Sequence, residues 1–256
     1  MDANILLIIF VSFIAQLIDG SLGMAYGVSA NSMLLSLGLP PAAASASVHA
    51  SKIVTTFISG LAHLKVGNID RHMVVRLLIP GMLGGIVGAY VLVSVDGDLI
   101  RPYIALYLLV MGVRILLKAF SIPEVSDRQP GTGLLVGLGL IGGTCDAIGG
   151  GGWGPVVTST LISAGHSPRK TIGSVNFSEF FVTLAESMVF IFTIGLSNWK
   201  IILALIIGGF PAAPLGALLT RKLPARTIMI MVGCLIIFLQ VRTLYPIWFL
   251  PWFFSR

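Results

Sequence analysis

Apolar stretches recur along the whole chain, parted by short polar or glycine-rich breaks. Ten can be marked, at 4–18, 24–38, 41–64, 72–95, 99–119, 131–146, 153–165, 169–194, 198–219 and 225–245. The longer ones reach the length of about 20 residues that a helix needs to cross a bilayer. Backbone groups in hydrocarbon must pair within their own segment, and none of these segments alternates in the manner of a barrel strand. The pattern therefore predicts an all-α polytopic membrane protein.

The pattern also repeats. At an offset of 127 residues Asp19 falls on Asp146, Gly23 on Gly150, Tyr26 on Trp153, Gly27 on Gly154, Gly38 on Gly165, Pro41 on Pro168 and Ser51 on Ser178, and from 19 to 56 twelve of 38 ungapped positions are identical. One inserted residue brings Gly88-Ala89 onto Gly216-Ala217. This predicts a first membrane repeat over 1–120, a linker over 121–132 and a second repeat over 133–256. Each repeat has about five apolar segments, the first two short and glycine-broken. An odd number of spans per repeat makes the two repeats enter from opposite sides. Loop charge agrees: Gly38 to Ala43 is uncharged and Asp96-Gly97-Asp98 acidic, whereas their mates carry Arg169-Lys170 and Arg221, Lys222 and Arg226. Lys65, Arg71, Arg114 and Lys118 fall with those basic loops; Arg101, Lys200, Arg242 and Arg256 fall opposite. The positive-inside rule makes the basic face cytoplasmic and puts both termini outside.

Composition fits this class: 56% of the 256 residues are hydrophobic and 10% charged, against about 25% charged in soluble domains. The formal charge of +6 would raise nucleic acid as a partner in a soluble protein. Here topology accounts for it, so no nucleic acid is expected. Cys145 and Cys234 lie in separate apolar stretches, without disulfide or metal spacing. Met1-Asp2-Ala3-Asn4 lacks a signal peptide's basic start, so the first apolar run reads as mature protein. Trp248 and Trp252 read as an interfacial anchor.

Three constellations carry candidate chemistry. The breaks at Gly20, Gly23 and Gly27 and at Gly149 to Gly152 with Gly154 would expose helix-start amides, which attract anions. Paired Gly-interrupted segments in matching places point to a transport site; the plainer reading is a tight external turn. Asp19 and Asp146 precede the breaks and read either as caps of the next helix or as carriers of a proton or cation. In the third segments, Ser45 to Lys52 and Ile172 to Glu179 set polar groups deep in apolar runs. His49 and Lys52 share a helix face. Lys52 and Glu179 occupy matching positions and either form a structural ion pair or, with His49, Ser51, Asn176 and Ser178, bind an anion while Glu179 carries a coupling proton. Pro80, Gly81, Gly84, Gly85 and Gly88, matched by Gly208, Gly209, Pro211, Pro214 and Gly216, read as packing and bending features. His49, His63, His72 and His166 show no metal-ligand spacing, and Ser174 has no credible base, so neither a metal site nor an enzyme is expected.

The paired motifs Asp19-Gly20-Ser21-Leu22-Gly23-Met24-Ala25-Tyr26-Gly27 and Asp146 to Pro155 resemble the two repeats of the TauE/SafE sulfite exporter family. The turns at Gly38-Leu39-Pro40 and Gly165-His166-Ser167-Pro168, and Gly173-Ser174-Val175-Asn176, are similar too. The likeness covers essentially the whole chain. It implies movement of sulfite, thiosulfate, sulfoacetate or related organosulfonates. Leu22, Met24 and Ala25 stand opposite Gly149, Gly151 and Gly152, a departure that unbalances the two breaks. The expectation is a secondary transporter with a midplane anion site. Lys52, His49, Ser51, Asn176, Ser178, Gly23, Gly27, Gly150 and Gly154 would touch the substrate, and Asp19, Asp146 and Glu179 would cap or couple. The alternative is a cation or proton pathway through those three acids. Expected partners are a small anion and membrane lipid, with a homodimer left open; no cofactor is expected.

Overall fold

A computed structural model describes residues 3–120, 129–219 and 225–248, and all regular structure among them is helical. In chain order the helices are α1 (Ala3–Leu22), α2 (Tyr26–Ser36), α3 (Pro41–Lys65), α4 (Arg71–Ser94), α5 (Gly97–Lys118), α6 (Thr132–Gly149), α7 (Ser159–Ser163, entered through a π-helical turn, Gly154–Thr158), α8 (Pro168–Thr193), α9 (Trp199–Leu219) and α10 (Ala225–Trp248). Among the described residues six helices are long and apolar enough to cross a membrane. α3 is as long, but its middle is polar, and Ser45, His49, Ser51 and Lys52 are all buried against neighbouring helices. Most of the linker over 121–132, the basic positions Arg221 and Lys222, Trp252 and Arg256 lie outside the described residues.

The breaks fall later than the pattern suggests. α1 runs through Asp19-Gly20 to Leu22 and α6 through Asp146 to Gly149. Left-handed glycines stop them, Gly23 at φ 69° and Gly150 at φ 65°. The aspartates do not end their own helices; they reach forward to the next. Asp19 Oδ1 accepts from Tyr26 N at 3.3 Å, and Asp146 Oδ1 accepts from Gly152 N at 2.7 Å and Trp153 N at 3.1 Å.

The repeat is visible in the backbone. Left-handed glycines come in three pairs: Gly23 with Gly150, Gly38 with Gly165, and Gly67 with Gly195, the last after the one-residue insertion. Contact register gives the helix directions. Ser12 meets Leu205 and Gly209 while Gly20 meets Gly216, so α1 and α9 run parallel. Pro80 meets Gly139 while Gly88 meets Thr144, so α4 and α6 run parallel. The mates themselves run antiparallel: His49 meets Glu186, Lys52 meets Glu179 and Ser59 meets Asn176 across α3 and α8, and Gly112 meets Ile236 while Leu116 meets Gly233 across α5 and α10. Two antiparallel copies related by a pseudo-two-fold axis are an inverted repeat. The first helix of each copy packs on the fourth helix of the other, so the copies are interleaved.

Glycine makes that interleaving close. A methyl group at Gly216 would lie 2.8 Å from Gly20 Cα, and one at Gly143 would lie 2.8 Å from Gly85 N. Small residues at these crossings let backbones touch, which is how helices gain contact in lipid. The directions put both ends of the described chain on one face, with the α2–α3, α4–α5 and α8–α9 connections. The α3–α4 connection, with Lys65 and Arg71, and the α7–α8 connection, with Arg169 and Lys170, lie on the opposite face.

Candidate functional site

The two breaks cross one another inside the protein. Gly23 through Leu35 and Gly149 through Ser159 are buried throughout. A methyl group at Gly27 would sit 2.5 Å from Gly150 O, and one at Gly154 would sit 2.5 Å from Gly23 O, so backbone lies directly on backbone. A polar residue from the opposite copy covers each left-handed glycine. Asn31 packs on Gly150 and donates to Gly149 O at 2.6 Å, and Thr158, its mate, packs on Gly23. The aromatic residue after each break ties it to the third helix of its own copy. Tyr26 Oη lies 3.1 Å from Ser51 Oγ, and Trp153 Nε1 donates to Val175 O at 3.1 Å.

Beside this crossing lies a sealed charged cluster. Lys52 is 1% exposed, and its Nζ reaches Asp146 Oδ2 at 3.0 Å and Glu179 Oε1 at 2.7 Å. The matching-position pair Lys52–Glu179 thus meets on the pseudo-two-fold axis. His49, one turn before Lys52, turns the same way, and its Nε2 lies 2.8 Å from Glu186 Oε2 and 3.4 Å from Asp146 Oδ2. The other ring nitrogen, Nδ1, lies 2.8 Å from Ser45 O. Asp19 interacts with Lys52 and Glu179 through space, and its Oδ2 has no hydrogen-bond partner among the described residues. Donor atoms of His49, Asp146 and Glu186 cluster within 4.8 Å. The Lys52 ammonium already supplies the positive charge next to them, so the group reads as an ion-pair network.

The other expected residues are near but differently engaged. Ser51 Oγ donates to Val48 O at 2.7 Å and Ser178 Oγ to Ser174 O at 2.9 Å, each within its own helix. Asn176 Oδ1 accepts from Ser59 Oγ at 3.0 Å. The amides of Gly152 and Trp153, which an anion would seek, are occupied by Asp146. Capping is therefore what both aspartates do in this arrangement.

Sequence reasoning missed Glu186. Its mate is Ser59, so the repeat gives no acidic signal there. The available clue is that it lies seven residues after Glu179, two turns along the same face of α8. The pseudo-symmetry then pairs His49–Glu186 with Asn176–Ser59, a titratable pair in one place and a neutral pair in the other.

The two faces are closed differently. On the basic face Arg169 binds Asn68 and donates from its Nη2 to Val66 O at 2.8 Å; Lys170 Nζ reaches Gly67 O at 3.0 Å and Ile69 O at 3.1 Å; and Asp70 N donates to Ser174 Oγ at 2.7 Å. The related place on the other face has Ala42 and Ala43 for Arg169 and Lys170. There a cavity of about 230 Å³ separates Ala43 and Ser47 from Gly195 and Asn198.

Antiparallel repeats whose broken helices meet at a buried charged centre are the architecture of a polytopic membrane transporter. The chain belongs to the TauE/SafE family: the profile described as "Sulfite exporter TauE/SafE" matches residues 8–243. It is 42% identical over 246 residues to "Probable membrane transporter protein YtnM" of Bacillus subtilis (strain 168), covering 93% of this chain and 82% of that one. It is 22% identical over 214 residues to "Probable membrane transporter protein YunE" of the same organism, covering 75% and 77%. No solved structure matches.

Proposed function

We propose that this protein is a secondary transporter of small sulfur-containing anions, such as sulfite, sulfoacetate or related organosulfonates. In this reading it works by alternating access at a midplane site between the repeats. The observation that carries the reading is the crossing of two buried broken helices beside Lys52 on the pseudo-two-fold axis. Lys52 and His49 are the cations that draw the anion inward. Ser51, Asn176 and Ser178 line the approach; Gly23, Gly27, Gly150 and Gly154 pack backbone on backbone in this state, and a ligand reaches them as the copies part. Asp146, Glu179 and Glu186 hold the two cations while no substrate is bound, and an anion takes over one of those contacts. The differently closed faces support alternation, since related surfaces of an inverted repeat exchange roles between the two states. Taking the face with Arg169 and Lys170 as cytoplasmic puts both termini outside a prokaryotic plasma membrane.

A second reading rests on the excess of carboxylates. With Asp19, Asp146 and Glu179 as ligands the same centre would pass a cation or proton alone, and the orphan oxygen of Asp19 favours it. Purified protein in liposomes, assayed with labelled sulfite, thiosulfate and sulfoacetate against labelled sodium, separates the two. The proposal expects saturable exchange of at least one anion, lost on Lys52→Ala and weakened on Ser51→Ala. Sodium flux without anion exchange, or anion exchange at full rate in both variants, contradicts it.

A further inference from the structure

We propose that the His49–Glu186 pair is the proton-carrying site of this transporter, and that its proton crosses the membrane together with the anion. The inference rests on the transport reading above and deepens it by naming the coupling ion and the groups that hold it.

The close contact favours a proton there. His49 Nδ1 lies 2.8 Å from Ser45 O, an acceptor only, so Nδ1 carries a hydrogen. If the ring were neutral, Nε2 would be bare. Nε2 lies 2.8 Å from Glu186 Oε2, off the line of a straight N–H···O bond, so a bare Nε2 would put two electron-rich atoms in contact with no hydrogen between them. A proton between them, on the ring or on the carboxyl, resolves the contact. Charge leads to the same place. Four carboxylates, those of Asp19, Asp146, Glu179 and Glu186, stand around Lys52 and His49. Even with His49 protonated the cluster lacks positive charge, and buried unpaired charge is costly.

Glu186 is the carboxylate least engaged by other donors. Asp146 holds Lys52 and two backbone amides, and Glu179 holds Lys52. Among the described residues neither oxygen of Glu186 has a well-directed hydrogen-bond donor, and the residue is fully buried. Around it α3 presents His49 and Lys52, α6 presents Asp146 and α8 itself carries Glu179; Gly85 of α4 packs on the Glu186 carboxyl, and Asp19 of α1 faces Lys52 and Glu179. The pseudo-symmetry shows that a neutral pair fills the related position, since Ser59 and Asn176 do so with one hydrogen bond. A titratable pair in the other place is therefore not needed for packing.

The coupling follows from charge. A second proton, taken from water on the entry side, leaves His49 as imidazolium and Glu186 as carboxylic acid. Glu186 then no longer neutralises the ring, and His49 with Lys52 faces an incoming anion. Loss of that proton on the far side restores the His49–Glu186 contact and expels the anion. Proton and anion move in the same direction.

The test uses the full chain in liposomes with a trapped pH dye, plus infrared spectroscopy of the purified protein. Wild type should acidify the lumen as the anion enters, and an imposed pH gradient should drive anion accumulation. In Glu186→Gln, pH-driven accumulation should fall about tenfold further than anion counterflow does, a loss within the usual range of coupling energies. The double variant His49→Asn with Glu186→Ser copies the Asn176–Ser59 pair and guards against misfolding. It should show the same uncoupling. The infrared arm is independent of substrate choice: wild type should show a buried protonated-carboxyl band that titrates with pH and is missing from both variants. A band unchanged in Glu186→Gln overturns the assignment even if no tested anion is carried. So does counterflow with no response to pH in wild type, or accumulation driven by sodium instead. Absence of anion exchange with the band present and Glu186-dependent would sink the substrate reading and leave the proton site standing.

Discussion

At the scale of single residues, the crossing of the breaks sets the sharpest constraints. Gly27 touches Gly150 O closely enough that Gly27→Ala should cost about 1–3 kcal/mol by overpacking. Thermal unfolding in detergent should show the drop, while Gly131→Ala, with open space around it, should not. Ala25 gives the opposite case. It holds φ 111°, the only described non-glycine residue with a positive φ, where the related residue is Gly152. Ala25→Gly should relieve strain of about 1–3 kcal/mol and raise the melting temperature. No change would mean that the backbone there is not strained. Much of this centre was legible in the sequence, because the repeat marked Asp19 with Asp146 and Lys52 with Glu179 as matching positions. The repeat did not mark Glu186, since its mate is Ser59 and an inverted repeat exposes only what both copies keep; its place two turns after Glu179 was the sign of it. The aspartates' forward reach was also hidden. A side chain that caps across a break looks in sequence like one that ends a helix.

At the scale of elements, the broken helices were expected and their boundaries were not. Asp19-Gly20 reads as a helix end, but the helix continues until a left-handed glycine forces the turn at Gly23. Glycine inside a membrane helix marks a close neighbour as often as a break, and only contacts distinguish the two, as at Gly20 against Gly216. Arg169 and Lys170 were legible as topology signals. Their grip on the α3–α4 connection was not, because it depends on how α8 docks across the copies. Under the proposed alternating access, that grip is a gate and can be tested as one. Charged hydrogen bonds of this kind contribute about 1.5–3 kcal/mol each. In a background with Cys145→Ser and Cys234→Ser, Thr171→Cys is buried in the first turn of α8 behind the gate. Adding Arg169→Ala and Lys170→Ala should raise its labelling by a membrane-impermeant maleimide about tenfold, the factor that about 1.4 kcal/mol of population shift gives. Unchanged labelling would show that the basic face is held shut by something else.

For the whole molecule, the proposed alternating access would draw its two states from the antiparallel mates. α3 lies against α8 and α5 against α10 in opposite directions, so each surface on one face has a counterpart on the other. One such counterpart is latched and the other opens onto a cavity of about 230 Å³. Under the proposed mechanism these two places exchange states around the fixed centre at Lys52. The most direct measurement is maleimide labelling of Thr171→Cys and Ser47→Cys, each in the same cysteine-free background, with and without the anion that liposome exchange identifies. Reciprocal change is predicted, Thr171→Cys gaining reactivity as Ser47→Cys loses it when the anion and protons are supplied. Simultaneous labelling of both positions from opposite sides of the membrane would mean a continuous channel, and would contradict the account.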